Sequence, residues 1–120
     1  MDVRVKRVRD EPAHNDGTRV LVDRIWPRGV AKADVDLDRW LKDVAPSTDL
    51  RTWYGHDPEK FDEFAKRYRA ELDTPGGRAA LDELRDAVRG KRLTLLTDSR
   101  DVEHSQAAVL AELLKDHPGR

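Results

Sequence analysis

Residues 16–29 read DGTRVLVDRIWPRG, and in this stretch a turn, a buried strand and a polar loop follow one another. Asp16-Gly17 is a turn signal. The run Val20–Val22 is apolar without alternation, which predicts a strand at residues 19–23 that is buried on both faces of a sheet. Ligands of open α/β sheets bind just beyond the carboxyl ends of such strands, so the residues after Val22 indicate where the protein acts.

Two further segments are predicted to be strands. Leu93–Leu96 is a second apolar run, followed by a polar exit loop at residues 98–101. Val3 and Val5 alternate with polar residues, which predicts a half-exposed first strand.

Five segments have the spacing or capping signals of helices. They are a helix burying Leu37, Trp40, Leu41 and Val44 with Asp36 as its N-cap, a short helix capped by Ser47, a helix starting at Asp57-Pro58, a helix ending at Gly90, and a last helix capped by Asp101 or Ser99. Strands alternating with helices predict one α/β domain over residues 1–120. Its small, mostly parallel sheet should be flanked by helices in a Rossmann-like, three-layer arrangement.

Composition excludes several classes of protein. The chain has 120 residues, 39% of them charged and 38% hydrophobic, which is enough for one modest core. It contains no cysteine, so disulfides, thiolate catalysis and cysteine-bound metals are excluded. No apolar run approaches the roughly 20 residues of a membrane helix, and no signal peptide is recognisable, so we expect a cytoplasmic protein without membrane contact.

The charge distribution argues against a general nucleic-acid binder. The formal net charge is −1, whereas such domains are usually strongly basic. Residues 1–32 nevertheless carry eight Lys/Arg and five Asp/Glu, and the remainder is acidic. This imbalance predicts a local positive potential near the arginine-containing loop.

Polar side chains follow both buried strands. Asp23, Arg24 and Arg28 follow the first strand. Residues 97–100, which include Ser99 and Arg100, follow the second, with His104 predicted one turn into the last helix. If the two strands are parallel neighbours, these groups converge at one crevice. Ser47 and Ser99 are candidates as helix caps or as anion donors. Guanidinium groups, hydroxyls and a helix N-terminus bind anions, so we predict a pocket for a phosphate or carboxylate group. The alternative is that Arg24 forms a structural ion pair with Asp23 or another carboxylate.

The histidines and aromatic residues leave more than one interpretation open. His104 and His56 lie near predicted helix N-termini, which favour a neutral imidazole, and His104 is the candidate general base. His56 either contributes to the pocket or packs the Asp57-Pro58 turn. Trp26 either stacks on a planar ligand or fills the core, and Tyr68 either belongs to the core or presents its hydroxyl to the pocket. His14 and His117 receive no role.

Known cofactor and metal patterns are missing from the sequence. The four histidines are scattered, with no H-x-H or H-x-x-x-H pair, so we expect no metal. There is no G-x-S-x-G nucleophile motif, and no glycine-rich phosphate motif follows a strand, so we expect no nucleotide cofactor.

The chain resembles a known family over nearly its whole length. The matching residues are Lys6-Arg7-Val8, residues 16–29, Ala45-Pro46-Ser47, Leu50–Trp53, His56-Asp57-Pro58, Phe64 with Arg67-Tyr68, Leu93–Leu96 and Asp101–His104. These segments are similar to the YeaO-like proteins of the family called domain of unknown function 488. The resemblance implies a small α/β domain without an established activity, and some members carry a label as transcriptional regulators. Thr97 and Ser105 depart from the family pattern, in which tyrosine and asparagine are frequent.

Two functional hypotheses follow. The first is a small enzyme or binding protein for an anionic small molecule, acting through Arg24, Arg28, Ser47 and His104. The second is a nucleic-acid-associated regulator, which the acidic remainder of the chain disfavours. A partner-binding adaptor has no positive signature, and the sequence leaves monomer and dimer equally open.

Overall fold

The computed structural model describes residues 1–116, and within them four parallel strands form one sheet. The strands are β1 (Asp2–Arg7), β2 (Thr18–Leu21), β3 (Arg39–Trp40) and β4 (Arg92–Thr97), in the order β1-β4-β2-β3. The predicted α/β class and parallel sheet are therefore confirmed. His117 lies outside the described residues.

Strand β4 is central because both of its edges are paired. Leu93 lies beside Val3 of β1 and Thr18 of β2, and Leu95 lies beside Val5 and Val20. Leu93, Leu95 and Leu96 have no solvent exposure. Residues 93–97 are buried, which explains the mostly apolar run, and the hydroxyl of Thr94 within it donates to the Asp16 carbonyl at 2.7 Å.

Four α-helices lie in the described part of the chain: α1 (Thr48–Tyr54), α2 (Phe61–Leu72), α3 (Pro75–Ala87) and α4 (Gln106–Asp116). Ser47 caps α1, as predicted, because its Oγ accepts a hydrogen bond from the Leu50 amide at 3.1 Å. Asp57 begins a 3-10 turn that leads into α2, with Pro58 at its first position.

The predicted helix through Leu37, Trp40, Leu41 and Val44 is wrong. Residues 39–40 form strand β3, and Lys42–Val44 form a 3-10 turn. The free edge of β2 explains the difference, because the Asp38 and Leu41 amides donate to the carbonyls of Arg19 and Leu21, both at 2.9 Å. Asp36 consequently caps no α-helix.

The last helix begins later than predicted. A 3-10 turn at Val102–His104 intervenes, and α4 starts at Gln106. Ser105 stands at its N-cap position, where its Oγ accepts from the Ala108 amide at 3.3 Å, so neither Asp101 nor Ser99 caps this helix. His104 therefore precedes α4 instead of lying within its first turn.

Different elements pack against the two faces of the sheet. All four helices contribute to one core cluster, which also contains Val20, Leu93 and Leu95. Residues 23–40 cover the other face, where four side chains pack against a second cluster of Val8, Leu21 and Leu96. These four are Trp26, Val35, Leu37 and Trp40. The second outer layer is thus a largely irregular segment.

Two tryptophans hold this irregular layer in place. Trp26 and Trp40 pack edge to face, with ring centroids 5.3 Å apart. Their indole N–H groups donate to the carbonyls of Val30 at 2.6 Å and Asp23 at 2.7 Å.

Among the described helices, none is long and apolar enough to cross a membrane.

Candidate functional site

A cavity of about 550 Å³ opens beyond the carboxyl ends of β2 and β4, at the position predicted from the strand pattern. We call it the strand-end cavity. It is lined by residues 23–28, residues 97–101, Arg51, His56 and Gln106. Its size is within the range of pockets that hold small molecules.

Asp23 joins the two strand exits at the floor of this cavity. Its carboxylate accepts hydrogen bonds from the Thr97 hydroxyl and the Asp98 amide, both at 2.7 Å, and from the Gln106 side-chain amide. Burial raises the pKa of Asp23 above its ordinary value, against the opposing effect of these three hydrogen bonds. Asp23 therefore positions its neighbours, and both of its oxygens are already engaged.

Arg24 is largely engaged by the main chain. Its guanidinium donates to the carbonyls of Pro46 at 3.1 Å and Ala45 at 3.0 Å. The carboxylate pairing considered as an alternative is not what the structure shows. Arg24 lines the cavity while fastening the segment before α1 to the end of β2.

Three other arginines face the cavity without engaged side chains. Arg28, Arg51 and Arg100 line it, and their guanidinium groups form no hydrogen bond or ion pair with the side chains of residues 1–115 or with the main chain of residues 1–116. Arg28 and Arg100 are exposed at the rim, and Arg51 is half-buried on α1. Together these groups supply positive charge and planar donor arrays suited to carboxylate or phosphate.

His56 lies beside these arginines in an unusual backbone conformation. Its φ is +58°, the one positive φ of a non-glycine residue in the described part of the chain. L-residues adopt this left-handed region at a cost, which is often found at functional sites. The imidazole lines the strand-end cavity and also a smaller one of about 140 Å³ next to it.

The structure brings together five of the eight predicted site residues. Asp23, Arg24, Arg28, His56 and Ser99 line the strand-end cavity. The Ser99 hydroxyl donates to the Asp101 carbonyl at 3.4 Å, and its amide donates to Thr97 Oγ1 at 3.2 Å.

Ser47, Tyr68 and His104 do not line the cavity. The Ser47 amide and hydroxyl both donate to Glu71, at 2.8 and 2.5 Å. Tyr68 is fully buried, its hydroxyl donates to the Val44 carbonyl at 2.6 Å, and burial raises its pKa well above the ordinary value. The core interpretation of Tyr68 agrees with this position.

His104 lies outside the cavity but next to it. Its Nδ1 is 2.7 Å from an oxygen of Asp101, a residue of the cavity lining, and its ring packs edge-on against Phe61. The His104 carbonyl accepts from the Tyr54 hydroxyl at 2.6 Å. Burial, followed by the charges of Asp101 and Asp57, raises the pKa of Tyr54 to about 12, so this hydroxyl stays protonated at neutral pH.

Sequence reasoning missed Arg51 and Gln106. Arg51 was hidden inside a short helix, although it belongs to the Leu50–Trp53 segment that carries the family resemblance. Gln106 was missed because the last helix was placed too early, whereas it is the first residue of α4. Within residues 1–116 no group of three His, Asp or Glu side chains is arranged to hold a metal ion.

The fold and the cavity define a small parallel α/β protein with an arginine-lined site at the strand ends. The chain belongs to the DUF488 family, because the family model described as "Inactive DUF488-N3 subclade" matches residues 2–119. It is 38% identical to the uncharacterized protein YeaO of Escherichia coli over 118 residues, 96% of this chain and 98% of YeaO.

Mycobacterial relatives are more similar. Uncharacterized proteins of Mycobacterium tuberculosis and Mycobacterium bovis are each 54% identical over 112 residues, 93% of this chain and 92% of theirs. No solved structure matches the chain.

Proposed function

We propose that this protein binds a small molecule bearing a phosphate or carboxylate group in the strand-end cavity. The observation that carries the proposal is the set of three guanidinium groups, those of Arg28, Arg51 and Arg100, that face the cavity without a partner in the described chain. Arginines that serve only the fold are usually paired, as Arg19 is with Asp16. Unpaired guanidinium groups around a concave space favour an anionic ligand.

Binding is favoured over catalysis on two grounds. The family model that matches the chain is that of a subclade described as inactive. In addition, Asp23 has both oxygens occupied, and His104, the candidate general base, lies outside the cavity lining. A catalytic role for His104 stays a prediction, as does the cytoplasmic location.

A thermal-shift screen of the full chain tests the proposal. The probes are inorganic phosphate, citrate, adenosine monophosphate, glycerol 3-phosphate and a short oligonucleotide. A ligand at about 100 times its Kd adds roughly 2.7 kcal/mol of stability, which is readily measured. We expect stabilisation by at least one small anion and its loss in the variant Arg28→Ala/Arg51→Ala/Arg100→Ala.

A second triple variant separates the site from net charge. Arg39, Arg67 and Arg78 lie on the surface and pair with Glu83, Glu63 and Asp73. Replacing these three by alanine removes the same charge without touching the cavity and should leave the shift intact. An equal loss in both triple variants, or no shift with any small anion, contradicts the proposal. Stabilisation by the oligonucleotide alone would favour the nucleic-acid hypothesis.

A further inference from the structure

We infer that the ligand is a hydroxylated phosphate ester and that Gln106 selects it by accepting a hydrogen bond from its hydroxyl. This inference rests on the proposed function, because it concerns the same cavity. It adds a chemical requirement that arginines alone do not impose, namely a donor group beside the anion.

The orientation of the Gln106 amide carries the argument. Its Nε2 donates to Asp23 Oδ1 and lies 3.5 Å from Thr97 Oγ1. A carboxylate only accepts hydrogen bonds, so the amide cannot turn its oxygen toward Asp23 without losing this bond. Asp23 in turn is held by the Thr97 hydroxyl and the Asp98 amide, both at 2.7 Å. The direction of the Gln106 side chain is therefore set by its surroundings.

The other end of the amide remains available for a ligand. Gln106 Oε1 accepts no hydrogen bond from residues 1–116, and Gln106 lines both the strand-end cavity and the smaller cavity beside it. Arg51 and His56 line the same two cavities. A neutral acceptor is thus placed next to the cationic guanidinium group of Arg51.

A neutral acceptor suits an anionic ligand better than the carboxylates nearby. Asp98 is already paired with Arg9 at 2.6 Å, and Asp101 with His104 at 2.7 Å. A carboxylate would also repel the charge of the ligand, whereas an amide oxygen accepts from a hydroxyl without that repulsion. Guanidinium groups for the phosphate and an amide oxygen for a hydroxyl are together complementary to a polyol phosphate or a sugar phosphate.

The test compares two probes that differ in their hydroxyl groups, glycerol 3-phosphate and propyl phosphate. Isothermal titration calorimetry gives the Kd of each for the full-length wild type. One neutral hydrogen bond corresponds to roughly tenfold in affinity, so we expect glycerol 3-phosphate to bind about tenfold more tightly. Gln106→Leu should abolish that preference while leaving the Kd of propyl phosphate within about twofold.

Two further variants keep the outcome unambiguous. Asp23→Asn lets the Gln106 amide turn over, so it should reduce the preference without removing Gln106, and it serves if Gln106→Leu does not fold. Glu112→Ala, on an exposed position of the same helix, should change neither Kd. Equal affinity of the two probes for the wild type, or a preference that persists in Gln106→Leu, overturns the role of Gln106. Failure of both probes to bind overturns the inferred phosphate ester, whereas the thermal-shift screen with citrate and inorganic phosphate decides separately whether the proposed anion site stands.

Discussion

Two aspartates flank strand β2, and their carboxylates have partners of opposite kinds, charged for one and neutral for the other. Asp16, before the strand, is paired with the guanidinium of Arg19 and with Lys6 Nζ at 3.1 Å, and it accepts from the Ala13 amide at 3.0 Å. Asp23, after the strand, is held by a hydroxyl, a main-chain amide and a side-chain amide. One end of the strand thus neutralises its carboxylate with cations, and the other uses neutral donors.

The difference appears in the two pKa values. Desolvation raises the pKa of Asp16, but the hydrogen bonds from Ala13, Lys6 and Arg19 outweigh it, and the pKa is lowered. Burial dominates at Asp23, whose pKa is raised. At the amino end of the strand the cations are used for stability, with Arg19 almost fully buried. At the carboxyl end Arg24 and Arg9 are engaged, whereas Arg28, Arg51 and Arg100 have no partner in the described residues and are available to an anion.

The largest change in the free energy of unfolding is expected from a comparison of two glycines, Gly17 before β2 and Gly29 in the loop after it. A Cβ at Gly17, where φ is +71°, would lie 2.3 Å from the Arg92 carbonyl oxygen, whereas a Cβ at Gly29, where φ is +76°, would meet nothing within 4 Å. Gly17→Ala should cost about 4 kcal/mol, from the clash and the backbone strain together. Gly29→Ala, with the strain alone, should cost about 1 kcal/mol. Urea unfolding measures both, and equal costs would contradict a close approach at Gly17.

Removing the charge at the amino end is the next largest perturbation. Asp16→Asn leaves Arg19 buried without a counter-charge, so we expect a loss of about 3 kcal/mol at pH 7. The pKa of Asp16 is lowered in the folded state, so its stabilisation is complete above the unfolded pKa and disappears as the pH falls through the folded one. The difference in the free energy of unfolding between wild type and Asp16→Asn should therefore become smaller as the pH falls. Asp82→Asn, at an exposed carboxylate paired with Arg85, is the control and should cost less than about 0.5 kcal/mol.

The opposite pH dependence is expected at the carboxyl end. Asp23→Asn places an amide group against one of three donors and should cost about 1 kcal/mol at pH 7. The folded pKa of Asp23 is raised, so the wild type gains stability as the pH falls from above that value to below the unfolded one. An asparagine side chain does not titrate, so the variant lacks this gain. Unfolding curves between pH 7 and pH 4 should therefore show that the loss in free energy of unfolding caused by Asp23→Asn grows as the pH falls. If this loss changed with pH in the same direction for Asp16→Asn and Asp23→Asn, the contrast between the two aspartates would be wrong.

The smallest effect concerns the backbone beside the cavity. His56→Gly relieves the positive φ but adds chain entropy to the unfolded state, and the balance should be a gain of about 0.5 kcal/mol. If the imidazole contributes to anion binding, the same variant weakens the affinity for glycerol 3-phosphate. A loss of stability would show that the ring serves packing more than the ligand.

The sequence predicted the strands of the sheet better than the segments that pack against its two faces. Buried parallel strands are recognisable because each is a short run of residues such as Leu93–Leu96 that are mostly apolar. The segment through Leu37 and Val44 has helical spacing, yet Leu37 and Trp40 pack on one face of the sheet and Leu41 and Val44 on the other. What decides between helix and strand there is the unpaired edge of β2, which is a tertiary feature that local spacing does not contain.

The position of the cavity was predicted from the strand pattern, but part of its lining was not. Residues after Val22 and Leu96 were correctly expected to meet, because parallel neighbouring strands end at the same edge. Arg51 lines the cavity from helix α1, which is not one of the strand exits, so no local pattern marks it. Thr97 and Ser105, the departures from the family pattern, have structural partners, since Thr97 donates to Asp23 and Ser105 caps α4.

The irregular layer over the second face of the sheet has an evolutionary consequence. Residues 23–40 contain a two-residue strand and a 3-10 turn, and they supply one wall of the strand-end cavity. Helices on the other face must keep their volume and spacing to preserve the core. A loop held by two tryptophans tolerates exchanges and insertions more easily. Residues 30–38 lie between the two tryptophans and outside the stretch that carries the family resemblance. Relatives that share this sheet should therefore diversify most there, without having to evolve a new core.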